Sequence, residues 1–256
     1  LGRWPKAASI QYFKDNADGQ IPAGVLQCVT PSAPDAWLTA LRLYGTMTFA
    51  QVVAPSIELA DGGFPASMSL VDVLNAGTAQ TTAFQLRTGD GSGGTEGDIH
   101  KWKSTTDIFM PDGRIPDLGK VIYQKDLANT FRRRVEVEQA NGSKGREAAL
   151  QSTRDFFYKG EIARQMVDFL QEQGSLLTME DMADFSVGIE PPVAGSYKGV
   201  DVYTCGPWCQ GPANIQALHI LEGFDLKAMG HNSADHLHVL IEALKLAFAD
   251  RAAFYG

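Results

Sequence analysis

The sequence predicts an α+β chain dominated by helices. Apolar residues recur at helical spacing through most of its length, and glycines and capping residues bound those stretches. One segment, around Lys198-Gly199, instead has the β-branched and aromatic content of paired strands. At 256 residues, with 44% hydrophobic and 20% charged residues, the chain can bury a substantial core as one large domain or two intimate ones.

After an extended opening to about Thr30, Ser32 reads as a cap ahead of Pro34 and Asp35, starting a helix that stops at Gly45. A second helix starts near Thr48, carries Val52, Val53, Ile57 and Leu59 largely on one face, bends at Pro55 and ends at Asp61-Gly62-Gly63. Residues 88 to 119 are rich in Gly, Asp, Thr and Pro and read as a flexible surface loop. Helices are expected from about Asp126 to Ala140, from Gly145 to Phe157, and from Gly160 to Gln173 with Ile162, Met166, Phe169 and Leu170 inward. Thr178-Met179-Glu180-Asp181 resembles a capping box opening a short helix that ends by Phe185. Two strands follow, Phe185 to Glu190 and Gly195 to Thr204, the second folding around a Lys198-Gly199 turn. An irregular loop, Cys205 to Pro212, leads to a helix ending at Gly223. The last helix, Ser233 to Phe254, places Leu237, Leu240, Ile241, Leu244 and Phe248 on one stripe.

Charge excludes one class of partner. Lys and Arg number 22 against 30 Asp and Glu, a net charge of −8, whereas nucleic-acid binders cluster basic residues against phosphates. The single basic run, Arg132-Arg133-Arg134, is followed by Glu136 and Glu138 and reads as a solvated helix face. No stretch reaches the ~20 apolar residues that span a bilayer. The opening Leu1-Gly2-Arg3-Trp4-Pro5 is neither a signal peptide nor an initiator Met, so an internal segment of a longer product is expected, with its compartment left open.

No convincing nucleophile emerges. Ser92, within Gly89-Asp90-Gly91-Ser92-Gly93-Gly94, lacks a recognisable base and orienting acid. Cys205 and Cys209 are separated by three residues where a redox motif has two, which favours structural loop cysteines. His236 and His238 point about 200° apart on a helix and cannot easily share a metal with His231. Glu242 and Asp250 read as ordinary helix charges. By spacing alone, Arg3 is a surface arginine at a frayed terminus, although its planar fork suits a carboxylate.

Taken in order, seven stretches resemble the γ-glutamyltransferases, members of the N-terminal nucleophile amidohydrolases. They are Pro31 to Gly45, Thr48 to Pro65, Phe157 to Gly160, Gly174 to Asp181, Gly195 to Gly199 with Val202-Tyr203, Ile220 to Leu226, and Glu242 to Arg251. The resemblance implies a four-layer αββα sandwich, of which residues 1–256 would be the helix-rich large-subunit portion of a single domain. It further implies a proenzyme that cuts itself, freeing a Thr at the start of a small catalytic subunit. That Thr, beyond Gly256, would attack a γ-glutamyl-type amide and form an acyl-enzyme resolved by water or an amine. Neither cofactor nor metal is implied.

Within this chain, Gly2-Arg3-Trp4-Pro5-Lys6-Ala7-Ala8 resembles the family stretch whose Arg binds the substrate carboxylate, which makes Arg3 the expected substrate contact. The match is to the Gly-Arg-x-Pro form of the acylase branch. The family's Pro-Pro-Pro-Ser-Ser-Gly-Gly loop is replaced by Gly206-Pro207-Trp208-Cys209-Gln210-Gly211-Pro212, which makes Trp208 and Gln210 further substrate candidates and puts glutathione specificity in doubt. The alternative within the family is a different acyl amide, such as a cephalosporin side chain or a small amide acid like oxamate. The alternative of another class is a non-catalytic helical binding scaffold.

Overall fold

A computed structural model describes residues 2–22, 24–76 and 102–255. They divide into two compact units, the first ending at Val187 and the second beginning at Gly188. Ser92 and its glycines lie outside the described residues.

The first unit contains α1 (Ile10–Asn16), α2 (Ala33–Tyr44), α3 (Phe49–Gly62), β1 (Phe64–Pro65), α4 (Met68–Ala76), α5 (Lys103–Phe109), β2 (Val121–Ile122), α6 (Lys125–Ala140), α7 (Arg146–Tyr158), α8 (Glu161–Glu172) and α9 (Met179–Ala183). β1 and β2 pair antiparallel. Helix α7 is central, packing on α2, α6, α8 and α9. One core joins Leu38, Phe49, Val53 and Leu150, and the other joins Phe157, Tyr158, Ala163, Val167, Leu177, Met182 and Phe185.

Helix ends are secured by side chains that satisfy orphan backbone groups. Thr48 and Gln51 form a capping box at α3, and Thr178 and Asp181 form the expected one at α9. At the end of α2, the Arg146 guanidinium donates to the carbonyls of Leu41, Arg42 and Gly45 at 3.1, 3.1 and 2.6 Å. Ser32, expected to cap the start of α2, makes no side-chain cap bond.

The basic run is only in part a solvated face, because Arg134 is buried while Arg132 and Arg133 stay partly exposed. Ala128, Arg134 and Glu138 are buried along the side of α6 that meets α3 and α7, so two charges fall on an apolar stripe. Each finds its own solution. Glu138 accepts from the Phe49 and Ala50 N–H groups at 2.6 and 2.8 Å, placing a carboxylate at the positive end of α3. Arg134 lies between the Phe49 and Phe157 rings, 4.7 and 5.2 Å from their centroids, where the ring faces attract its cation. Arg132 pairs with Asp61 at 2.5 Å, and Arg133 pairs with Glu161.

Other expectations shift by a helical step. On α3 the inward stripe is Phe49, Val53 and Ala60, with Ile57 packed beside it, which turns Val52 and Leu59 to solvent. The helix runs unbroken through Pro55. On α8, Ala163 and Val167 are innermost, with Ile162, Met166 and Leu170 against them, and Phe169 is exposed. Within the expected 88–119 loop, residues 103–109 form α5, stapled by the Lys103–Asp107 pair at 2.6 Å. Residues 185–190 form no strand, because the Phe185 carbonyl and the Val187 N–H bond to side chains of α7 and α2 instead of a neighbouring strand.

The second unit contains β3 (Val193–Tyr197), β4 (Val200–Thr204), α10 (Gly211–Glu222), α11 (Leu226–Met229) and α12 (Ala234–Phe254). β3 and β4 pair antiparallel through the expected turn, with Lys198 at φ 48° and Gly199 at φ 80°. Ala213 and Ala217 of α10 meet Ala247 of α12, so the two helices approach along small residues. The expected core stripe of α12 is turned away from that seam, leaving Leu237, Ile241, Leu244 and Phe248 exposed.

If Glu138 caps α3 from within the core, Glu138→Ala leaves two helix N–H groups unpaired. Urea denaturation should show a loss of about 1.5 to 3 kcal/mol, the usual size for hydrogen bonds to a charged acceptor. An unchanged midpoint would remove Glu138 from that role.

Candidate functional site

Asp35, in the first turn of α2, is buried, and its carboxylate has three partners. Arg154 of α7 donates through Nε to Oδ1 at 2.6 Å, the Val187 N–H donates to Oδ2 at 2.8 Å, and the Thr39 hydroxyl lies 3.5 Å from Oδ1. Arg154 also donates to the Phe185 carbonyl, and to Asp155 at 3.1 Å. Burial opposes the Arg154 charge, but Asp35 and Asp155 outweigh it and hold the guanidinium above its ordinary value. Tyr158, one turn on, has the same guanidinium 4.8 Å from its ring centroid. Burial pushes its hydroxyl up to about 12, so at neutral pH it is a neutral group that donates to Pro31 O at 2.6 Å and accepts from the Asp35 N–H at 3.1 Å.

This cluster presents an aromatic surface. The Phe185 ring stacks on Tyr158 with centroids 5.6 Å apart and planes 20° apart. Above Phe185 lies Arg3, its guanidinium carbon 5.7 Å from the ring centroid. Arg3 is exposed, and among the described residues its guanidinium makes one hydrogen bond, a long one of 3.4 Å to the Asp184 carbonyl. The fork is therefore oriented by an aromatic face while most of its donors remain open to an anion.

The segment carrying Arg3 is fastened at several points and is not frayed. The Thr30 N–H donates to Arg3 O at 2.8 Å in an isolated antiparallel bridge. Gly2 makes this approach possible, since a Cβ there would come within 2.4 Å of Val29 Cγ2 and 2.6 Å of Thr30 O. Pro5 is buried, and Trp4 meets Phe13 edge to face at 6.2 Å. The Lys6 N–H donates to Asp181 Oδ1 at 2.9 Å, and Lys6 Nζ pairs with Glu180 at 2.7 Å and Asp184 at 2.6 Å. Those two acids hold the Lys6 ammonium above its ordinary value, through the hydrogen bonds it donates first to Asp184 and then to Glu180.

Trp208 and Gln210 belong to the second unit. The Trp208 indole N–H donates to Glu190 at 2.5 Å, which fixes that edge, and the residue is 46% exposed. Gln210 is exposed at the start of α10 and makes no cap bond. The other sequence candidates separate: Glu242 pairs with Lys245 at 2.7 Å, and Asp250 accepts from Gln216 at 2.5 Å. The His231 and His236 rings lie 5.8 Å apart, and among the described residues no group of three His, Cys, Asp or Glu could hold a metal ion.

Sequence reasoning missed Asp35, Arg154, Tyr158 and Lys6. A signal was available for one of them: Arg154 stands beside Leu150, Phe157 and Tyr158 on α7, a charge on an apolar stripe that needs a buried partner. Lys6 gave none.

This architecture recurs among solved amidohydrolase structures. It superposes on cephalosporin acylase from Bacillus halodurans with a TM-score of 0.74 at 29% identity, covering 99% of this chain and 42% of that one. Residues 2–256 match the family model described as Gamma-glutamyltranspeptidase, and the chain belongs to that family. It is 32% identical over 228 residues to the glutathione hydrolase proenzyme of Escherichia coli strain K12, which covers 89% of this chain and 34% of that protein. Similarity to the Acylase ACY 1 proenzyme of Pseudomonas sp. strain SE83 is 28% over 240 residues, 93% of this chain and 37% of that protein. The chain thus spans about a third of the length of the curated relatives it matches. Its α+β, helix-rich fold is that of the family's solved structures.

Two stability tests follow from the geometry. Asp35→Ala strands a nearly buried guanidinium and should cost about 3 to 5 kcal/mol in urea denaturation, whereas a cost under ~1 kcal/mol would mean the pair braces nothing. Asp181 provides the pH test. Burial alone would raise its carboxyl, yet bonds from Thr178 and the Lys6 N–H hold it below the ordinary 3.8. Its contribution is therefore complete above that value and disappears as pH falls through the lower folded value. Asp181→Asn should flatten the fall in stability over that acid window, measured by acid titration of the unfolding midpoint.

Proposed function

We propose that this chain is the substrate-anchoring portion of an amidohydrolase or acyltransferase that cleaves γ-glutamyl-type amides, with Arg3 gripping the substrate carboxylate. The observation that carries this reading is the open guanidinium of Arg3, oriented over Phe185 on a segment held by Thr30 and Asp181. A carboxylate can take the fork bidentately, a geometry that a lysine could not supply. Family membership supports the reaction class, and the glutathione hydrolase named among its relatives supports the γ-glutamyl substrate.

The chemical step belongs to a Thr heading a second polypeptide cut from the same precursor, in line with the proenzyme names of the relatives. The Thr hydroxyl attacks the amide carbonyl with its own amine as base, and water or an amine then releases the acyl group. The role of this chain is to fix the acid end of the substrate so that the scissile amide reaches the nucleophile in one orientation. Trp208 favours a second reading: its half-exposed indole suits an apolar acyl group such as a cephalosporin side chain.

Kinetics on the mature protein test the assignment. With a γ-glutamyl anilide, Arg3→Ala should raise KM by roughly 10- to 150-fold, the equivalent of about 1.5 to 3 kcal/mol for a charge-assisted contact. Unchanged KM would remove Arg3 from the site. No turnover of the anilide beside turnover of a cephalosporin would reject the γ-glutamyl reading in favour of the acylase one, and activity on neither would leave a binding scaffold.

A further inference from the structure

The loop between β4 and α10 carries Cys205 and Cys209 on either side of Gly206-Pro207-Trp208. Cys205 is half-buried, Cys209 is exposed, and both are free thiols. The Cys209 N–H donates to Gly206 O at 3.1 Å, closing a turn that brings the second cysteine back toward the first. The Cys205 sulfur lies 3.8 Å from the Thr204 hydroxyl. The start of α10 packs directly on this corner, since a Cβ on Gly211 would come within 2.1 Å of Cys205 O and 2.4 Å of Thr204 Oγ1.

These neighbours act on the sulfur. The Cys205 thiol is held below its ordinary value, first by a hydrogen bond from Cys209, then by Thr204, with the Gly211 N–H contributing. Backbone and thiol donors of this kind stabilise a thiolate, the reactive form. Cys28 differs, because burial pushes its thiol up. The three-residue spacing still argues against a dedicated oxidoreductase, but it does not prevent two sulfurs at one turn from joining.

We propose that Cys205 and Cys209 form a dithiol modification site that reacts with small-molecule disulfides and closes reversibly to an intramolecular disulfide. The Cys205 thiolate attacks one sulfur of the reagent, whose S–S bond breaks, and the departing thiolate takes a proton from water. The Cys209 thiol gives its proton to solvent and attacks the Cys205 sulfur of the mixed disulfide, expelling the second thiolate, which is protonated in turn. The two cysteines lose two electrons and the reagent gains them, leaving as two thiols. The site is independent of the amide-cleaving reading, and its test reads sulfur chemistry alone.

The native full-length protein is treated with 2-hydroxyethyl disulfide at neutral pH, quenched in acid, alkylated and mapped by peptide mass. The expected result is loss of alkylation at Cys205 and Cys209 together, and a peptide lighter by two hydrogens that dithiothreitol restores. Cys28 should remain alkylated. Cys209→Ser should accumulate a mixed disulfide on Cys205, and Cys205→Ser should react more slowly. The proposal is overturned if wild-type protein holds separate mixed disulfides at both positions, if Cys28 reacts as fast, or if the pair reacts no faster than in the urea-unfolded chain.

Discussion

The pairing of Asp35 with Arg154 is the constraint on which the first unit's candidate site depends. It joins the start of α2, the middle of α7 and the segment after α9, three pieces far apart in sequence. Such a pair contributes little net stability, because both ions leave water to form it. What it contributes is order. Each of its members also reaches backbone: Asp35 takes the Val187 N–H, Arg154 takes the Phe185 carbonyl, and Tyr158 between them reaches Pro31. Phe185 is thereby fixed in position and register, and Arg3 takes its orientation from the Phe185 ring. A flexible arginine on a flexible segment would lose much of its binding energy to ordering, so rigidity beneath the guanidinium has direct value for recognition.

The same principle explains α6. An apolar stripe containing Arg134 and Glu138 looks inconsistent with folding, and the two residues do not resolve it by pairing with each other. Glu138 uses the unpaired N–H groups at the start of α3, and Arg134 uses the faces of two rings. Both solutions draw on partners available only after the helices pack. The charges therefore depend on which helices meet, since with any other neighbour Glu138 would lose its N–H donors and Arg134 the ring faces that attract its cation.

Many local signals were legible in the sequence where a structure depends on adjacent residues, although Ser32 makes no cap bond at α2. The helix start at Thr48, the capping box at Thr178, the stop of α2 at Gly45 and the Lys198-Gly199 turn are each decided within a few residues, and each forms where expected. Failures occur where a distant partner decides. Residues 185–190 have strand composition, but their backbone groups are taken by Asp35 and Arg154. Arg134 sits in a basic run whose other members do reach solvent-side partners, so nothing local marks it as buried. On α12 the large residues suggested the core face, while the closer approach allowed by alanines placed the seam about 100° away. Arg3 illustrates both limits: its position was marked by resemblance, and the platform beneath it was not.

For Arg3 to take a substrate carboxylate as proposed, an acidic chain must keep that cation from being neutralised internally. With a net charge of −8, this chain has ample carboxylates for the task, and one belongs to the residue whose carbonyl Arg3 touches. Lys6 prevents the capture. Its ammonium takes Asp184 at 2.6 Å and Glu180 at 2.7 Å, while its backbone N–H locks onto Asp181, so the acids around the segment are occupied by a residue three positions from Arg3. The exposed pair itself adds little to stability. Its effect is on availability: the Glu180 and Asp184 carboxylates are engaged by an ammonium, which leaves the planar fork of Arg3 open. Arg3 is open because Lys6 is not.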